Sequence, residues 1–485
     1  MQTTSSRATG ARIEFYRKTG KIHPRTVAGR YNSLRWAMVW ITQIVFYGAC
    51  WLDWDGRQAL LFHIAERKFY LFGLVLWPQD ALLLALLLVL AATGLFLVTA
   101  VAGRLFCGFA CPQTVYTAIF RWVENKVEGD HLARMKLDQA PPSLHKFARK
   151  GAKHAIWLAI ALWTGITFVG YFTPIRELLF NLGPGELGPW EGFWVFFYAG
   201  FAYLQAGFAR EMVCMHMCPY SRFQGVMFDR ETVTVSYDAR RGEPRKGRAG
   251  AMTQATTPVT AKLASTGQTA AATRGDCVDC SLCVQVCPTG IDIRDGLQYQ
   301  CINCGLCVDA CDDVMTRIGA PIGLIRFASE RELAAPKAAQ PRAPMLASLR
   351  RPRSLVYVGV LAVFTVLGAW MLANRVPLQV DVLRDRNALM REKPDGSVEN
   401  TYMLKVVNML EEPRAFHIRV EGPAEAHIVG ADVIHVAAGS VLPLPVTVAA
   451  LPEPGKTGVQ PLQFEIEALD GEPTHVTERS SFLLP

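Results

Sequence analysis

No cysteine occurs in the last 170 residues of this 485-residue chain, so that stretch has neither disulfides nor thiolate-held metal to build on. The first 35 residues are polar and basic and lack a short apolar core followed by a small-residue cleavage site; a cleaved secretory leader is not expected. No histidine lies inside the apolar runs, which excludes a haem slung between two of them. His145 and His154 read as surface residues. The formal net charge of +8 would suit a nucleic-acid binder, but Lys and Arg gather beside apolar runs. The expected partner is therefore a lipid bilayer and no nucleic acid.

What is present is strongly segregated. Five segments have the apolarity and approximate length of roughly 20-residue membrane spans: Trp36–Leu52, Ala81–Gly103, Ala155–Ile175, Gly192–Ala209 and Leu355–Asn374. The run Phe69–Trp77 is too short and reads as interfacial or re-entrant. Lys and Arg are dense before Trp36, between Arg104 and Lys153, and between Arg210 and Arg353. They are sparse in the loops after the first and third runs, where the latter holds only Arg176. Alternate segments are basic, so the positive-inside rule places the N-terminus, 104–153 and 210–353 in the cytoplasm and the tail outside.

Thirteen cysteines are present, eight of them between Cys277 and Cys311. Cys277-Val-Asp-Cys280-Ser-Leu-Cys283-Val-Gln-Val-Cys287-Pro288 is followed by Cys301-Ile-Asn-Cys304-Gly-Leu-Cys307-Val-Asp-Ala-Cys311. Three closely spaced thiolates grip one cubane and the fourth reaches the other. This assigns Cys277, Cys280, Cys283 and Cys311 to one [4Fe–4S] cluster and Cys301, Cys304, Cys307 and Cys287 to a second. Ser281, Asn303 and Gly305 are small residues that let backbone N–H groups approach the sulfurs. Asp312 stands where a proline commonly follows the last cysteine, which leaves the local turn open. Such a cassette moves single electrons and requires a reducing compartment.

Four further cysteines form two pairs, Cys107-Gly-Phe-Ala-Cys111-Pro112 and Cys214-Met-His-Met-Cys218-Pro219, each just beyond an apolar run and its closing Arg. The shared pattern is an internal repeat of a two-span hairpin plus a surface helix. Proline suits the first turn of a helix, so Cys111 and Cys218 should sit at helix N-termini, where a thiolate is stabilised. Cys107, Cys111, Cys214 and Cys218 are the candidate catalytic sulfurs. With Met215, His216 and Met217 they form a candidate soft-ligand site suited to Cu(I). Cys50 stands alone and reads as packing.

The remaining segments fill out the domains. Residues 1–35 form a cytoplasmic segment and 36–230 a four-span membrane domain with both paired motifs. Residues 231–275 form a flexible cytoplasmic linker from which the cassette can swing, and 276–332 the ferredoxin domain. A linker at 333–354 leads to the fifth span at 355–374 and a tail at 375–485. Tyr402–Asn408, Ala415–Val420 and Leu462–Glu467 alternate as strands do. The fold class is thus multi-domain: a five-span α-helical membrane bundle, an inserted 2[4Fe–4S] ferredoxin-like α+β domain, and an all-β immunoglobulin-like sandwich.

The paired motifs, the Tyr237-Asp238…Arg241-Gly242-Glu243-Pro244-Arg245 segment, the cassette and the final span with its tail together resemble the FixG/RdxA/CcoG family of cytochrome c oxidase accessory proteins. The resemblance covers nearly the whole chain. It implies a multi-pass protein of the bacterial inner membrane with the clusters cytoplasmic and the tail periplasmic. It also implies cupric reductase activity, Cu(II) to Cu(I), in maturation of a cbb-type oxidase. The partners implied are a cytoplasmic electron donor, copper transport or chaperone proteins and oxidase assembly factors; a homodimer is left open. Two other readings fit the residues: an electron conduit between a quinol or soluble donor and a partner protein, and a scaffold with structural clusters.

Overall fold

The computed structural model describes residues 22–245, 275–336, 344–384, 390–452, 455, 457–471 and 473–485. They form two compact units, one of residues 1–53 and 89–362, the other of residues 54–88 and 363–485.

Each expected span overlaps a helix, Arg30–Gly48, Ala81–Ala102, Leu144–Val169, Pro189–Leu204 or Pro352–Ala373, and the first, third and fourth expected spans run four to six residues past the helix end. Three of these, Pro78–Ala102 (counting its first 3-10 turn), Leu144–Val169 and Pro352–Ala373, are long and apolar enough to cross a membrane. Leu82, Leu87, Leu88, Val363 and Val366 are exposed on two of them. Apolar helix surface on that scale is stable in lipid, not in water. The helix Pro189–Leu204 is shorter but continues through a π-helical turn, Gln205–Ala209.

In the first unit the ferredoxin segment carries the helix Leu306–Arg317 and the strand Ile325–Ala328. That strand pairs antiparallel with Thr234–Tyr237, Val235 opposite Phe327. Residues 232–245 are therefore part of the folded ferredoxin body and not of a linker. Thr232-Val-Thr-Val-Ser-Tyr237 is β-branched and alternating, which is why it pairs. The expected linker's remainder, 246–274, and residues 337–343 of the second linker lie outside the described residues.

The second unit is a β-sandwich. One sheet runs His427–Val429, Val441–Ala450, Val398–Asn408, Leu378–Arg384, and the other Val433–Val436, Arg414–Glu421, Gly458–Ala468, His475–Leu484. The inward residues of both sheets, among them Tyr402, Leu404, Phe416, Ile418, Phe464 and Phe482, are fully buried in one core. Tyr402 also donates to the Ser481 carbonyl at 2.9 Å.

Phe69–Trp77, expected to be interfacial or re-entrant, folds as strands. It supplies two strands, Lys68–Leu71 and Leu74–Leu76, of a three-stranded sheet begun by Leu60–His63. Leu61, Tyr70, Val75 and Trp77 pack on Val407 and Met409 of the sandwich. Arg375 clamps the same junction by pairing with Asp80 at 2.6 Å and donating to the Val75 carbonyl at 2.8 Å.

Candidate functional site

Two small cavities are lined by the cassette cysteines. Cys277, Cys280, Cys283 and Cys311 border one, walled by Val278, Met315 and Leu324. Cys287, Cys301, Cys304 and Cys307 border the other, which Cys283 also touches. Each grouping is the donor set of a thiolate-held cubane, four sulfurs within an apolar shell. The two halves share a backbone pattern. Asp279 and Ser281 are left-handed at φ 53° and 58°, and Asn303 and Gly305 match them at 55° and 75°. These turns fold the chain around the cavity at equal steps after the first and second cysteine of each run. Gly305 has a second reason to be glycine, because a Cβ would lie 2.7 Å from the Tyr31 ring. The halves differ at their ends. The helix Leu306–Arg317 runs straight through Cys311 and Asp312, a course that a proline at 312 would break. The helix Leu282–Gln285 stops short of Cys287-Pro288.

The paired motifs are copies in their hydrogen bonds as well as their letters. The Cys111 N–H donates to the Phe106 carbonyl at 2.9 Å and the Cys218 N–H to the Val213 carbonyl at 2.8 Å, both five residues back. Thr114 Oγ1 donates to the Cys107 carbonyl at 2.5 Å, and Ser221 Oγ to the Cys214 carbonyl at 2.6 Å. Pro112 and Pro219 open the helices Pro112–Val127 and Pro219–Met227, with Cys111 and Cys218 as their N-caps.

Cys107, Cys111, Cys214 and Cys218 stand near enough to perturb one another's ionisation. Burial pushes the Cys107 thiol to about 11 and the Cys214 thiol to about 12. It also raises Cys111, outweighing the Gln113 and Thr114 backbone N–H groups. For Cys111 the helix N-terminus therefore does not yield the low pKa expected of it, because desolvation of the thiolate is the larger effect. The candidate ligands between the second pair, Met215, His216 and Met217, have other surroundings. His216 is exposed, Met217 is 64% exposed, and Met215 lines a separate cavity with Glu124, Lys153 and Trp157. All three lie on the π-helical turn Val213–Met217. Among the described residues no three His, Cys, Asp or Glu side chains converge tightly enough for a single metal ion. Cys50 is fully buried in an apolar cluster with Val169 and Leu178, as packing requires.

The cassette does not hang free. Gly108, between Cys107 and Cys111, lies flat on the Ile302–Asn303 backbone. Cys107 packs against the core that holds Cys304 and Cys307. Asn303 accepts from the Val235 N–H at 3.1 Å and donates to the Ala102 carbonyl at 3.4 Å. Asp309 accepts from the Tyr31 and Asn32 N–H groups at 3.1 and 2.8 Å, capping the Arg30–Gly48 helix. Arg104 donates to the carbonyls of Tyr299, Cys301 and Ser221. Sequence reasoning took Arg104 and Arg35 as flanking charges, whereas both are buried.

A buried charge network holds the two repeats together. Glu124 pairs with Arg210 at 2.6 Å and Arg134 at 3.0 Å. Lys153 pairs with Glu128 at 3.0 Å, and Arg121 with Glu211. Burial works to raise the Glu124 carboxyl, but Arg210, Arg134 and Lys153 overcome it and hold the group below the ordinary carboxylate range.

Residues 209–330 match the family model of a 4Fe-4S dicluster domain, residues 84–128 a 4Fe-4S binding domain, and residues 368–485 the IG-like fold at the C-terminus of FixG. The chain is 39% identical over 443 residues to the nitrogen fixation protein FixG of Rhizobium meliloti, covering 86% of this chain and 82% of that one. It is 38% identical over 421 residues to protein RdxB of Cereibacter sphaeroides, covering 84% of each. Protein RdxA of the same bacterium is 36% identical over 414 residues, covering 83% of this chain and 82% of the relative. A crystal structure of a FixG-related protein from Vibrio parahaemolyticus is 31% identical and covers 22% of this chain and 96% of its own, at a TM-score of 0.21.

The docking has a direct test at Gly108. A methyl there would stand 2.7 Å from the Ile302 carbonyl oxygen and 2.9 Å from that of Asn303, backbone atoms that cannot step aside. Gly108→Ala should cost on the order of 1–3 kcal/mol and speed iron loss to a chelator. Gly151→Ala, which meets open space, should do neither. Equal rates of iron loss in the two variants would show that the contact is not tight.

Proposed function

The chain belongs to the FixG/RdxA/CcoG family, and from that premise we propose that this iron–sulfur electron-transfer protein reduces Cu(II) to Cu(I) for assembly of a cbb-type cytochrome c oxidase. Cys277, Cys280, Cys283 and Cys311 would hold one cluster and Cys287, Cys301, Cys304 and Cys307 the other. A cluster held there would supply one electron for each Cu(II) reduced to Cu(I). The observation that supports the reading is the packing of Cys107 against the core that contains Cys304, one of the residues that would hold the second cluster. Copper is substrate and not a resident cofactor. Cu(I) is satisfied by two thiolates, so a loose group of four soft sulfurs suits capture and release. The buried thiols must lose their protons as the metal binds. Exposed Met217 and His216 at the same turn are first contacts for incoming copper. Partners on this reading are copper transport or chaperone proteins and oxidase assembly factors, with the sandwich as an assembly surface. The competing reading is a conduit without a substrate of its own.

Five spans, with the clusters cytoplasmic and the tail periplasmic, are part of the proposal. They are supported by the second unit, in which residues 54–88 fold together with 363–485 and so share one side of the membrane. A periplasm-dependent reporter enzyme should be active when fused after Pro485 and silent when fused at Ser265; the opposite pattern would overturn the topology.

Anaerobically purified protein should contain about eight irons per chain. Cys280→Ser should lower that to about four and leave a single paramagnetic cubane. An unchanged count would remove Cys280 from the ligands.

Replacing Cys214 and Cys218 together with Ser should abolish Cu(I) binding and Cu(II) reduction by the dithionite-reduced protein while leaving the iron content intact. Full cupric reductase activity in that variant would leave the conduit as the better account.

A further inference from the structure

A cavity of about 400 Å³ opens between the helices Arg30–Gly48, Leu144–Val169 and Pro189–Leu204. That volume is in the range of small-molecule sites. Its wall is overwhelmingly apolar, with aromatic rings from Phe46, Phe168, Tyr198 and Phe201. Ala110 and Pro112, the neighbours of Cys111, close one end. Two polar atoms in this wall, the Tyr116 hydroxyl and the Gln43 amide oxygen, make no hydrogen bond of normal geometry, although the Tyr116 hydroxyl has the polar side chains of Tyr47, Thr164 and Gln43 within reach. The other polar side chains are committed: Gln113 donates to the Gln205 and Arg210 carbonyls at 3.1 and 2.9 Å, and Thr164 to the Ile160 carbonyl at 2.8 Å. An unpaired buried donor or acceptor is costly, and an acyl chain would satisfy neither.

We propose that this cavity binds the head group of a membrane quinol, which makes the lipid phase the source of the electrons. A planar ring fits among the aromatic side chains. A ring hydroxyl can donate to Gln43 Oε1, and a ring oxygen can accept from the Tyr116 hydroxyl. The isoprenoid tail remains in lipid. The proposal rests on the electron-transfer reading but not on copper. Oxidation of one quinol gives the quinone, two protons and two electrons. The protons pass to water, and each of two oxidised [4Fe–4S] clusters takes one electron.

The test uses the full-length protein in detergent, with no copper present. Ubiquinone-1 should bind saturably by calorimetry, and an azido-ubiquinone should label peptides from the Arg30–Gly48, Pro112–Val127 or Pro189–Leu204 helices. Tyr116→Phe combined with Gln43→Leu should weaken binding at least tenfold at unchanged iron content. Tyr116→Phe alone removes one oxygen atom and keeps the test open if the double variant folds poorly. Undiminished affinity in both variants, labelling elsewhere, or displacement of the quinone by equimolar phospholipid would overturn the site. In a separate assay with copper, failure of the unaltered protein to reduce Cu(II) while it still binds quinone would refute only the cupric reading.

Discussion

The buried guanidinium of Arg104 donates to the carbonyls of Ser221, Tyr299 and Cys301. It thereby joins the first paired motif, the second paired motif and the cassette. No carboxylate neutralises it among the described residues, and its remaining charge favours the thiolate forms of Cys107 and Cys301. A cubane in four thiolates is anionic, so a cation fixed between two sulfur groups stabilises both. Arg35 is arranged similarly: it is buried and makes no ion pair among the described residues, and Cys304 is the strongest favourable charge in its surroundings. Two residues that read in the sequence as charges flanking apolar runs are therefore buried next to cysteines of the cassette and of the first paired motif.

The cluster groupings are argued from ligand spacing, which is a constraint on the chain itself. Three cysteines two residues apart can wrap a single cubane, and the fourth is then too distant along the chain for the same one. The structure lines its two cavities with those groupings. The left-handed turns at Asp279 and Ser281 were not legible, since neither residue is glycine. They are imposed by closure around the cavity, as the matching turns at Asn303 and Gly305 indicate. The immunoglobulin-like tail was legible for a related reason: a two-residue period with turn residues between the strands describes a half-buried sheet locally.

What escaped the sequence depends on partners far away in the chain. Phe69–Trp77 is a short apolar run whose meaning comes from Val407 and Met409, more than 300 residues on. Thr234–Tyr237 sits beside a stretch rich in Ala, Thr and Gly, and only its pairing with Ile325–Ala328 makes it a strand. At Cys111 a local rule was applied without its competitor. The helix N-terminus does favour the thiolate, but the depth at which the repeat packs was invisible, and desolvation dominates.

Fixed docking changes how the electrons must travel. A swinging cassette would have to break the contacts of Arg104, Asn303 and Asp309, each a net contribution of about 1 kcal/mol or more, along with the packing of Cys107. The second cluster's cavity is the one set against the paired motifs, through Cys107 and Ile302. The first is joined to it by Cys283, which borders both cavities. On the proposed reading this order follows from electron counting. A quinol gives up two electrons, Cu(II) accepts one, and a single cubane holds only one more. Two clusters side by side, sharing Cys283 as a common wall, would take both electrons from one donor and return them singly.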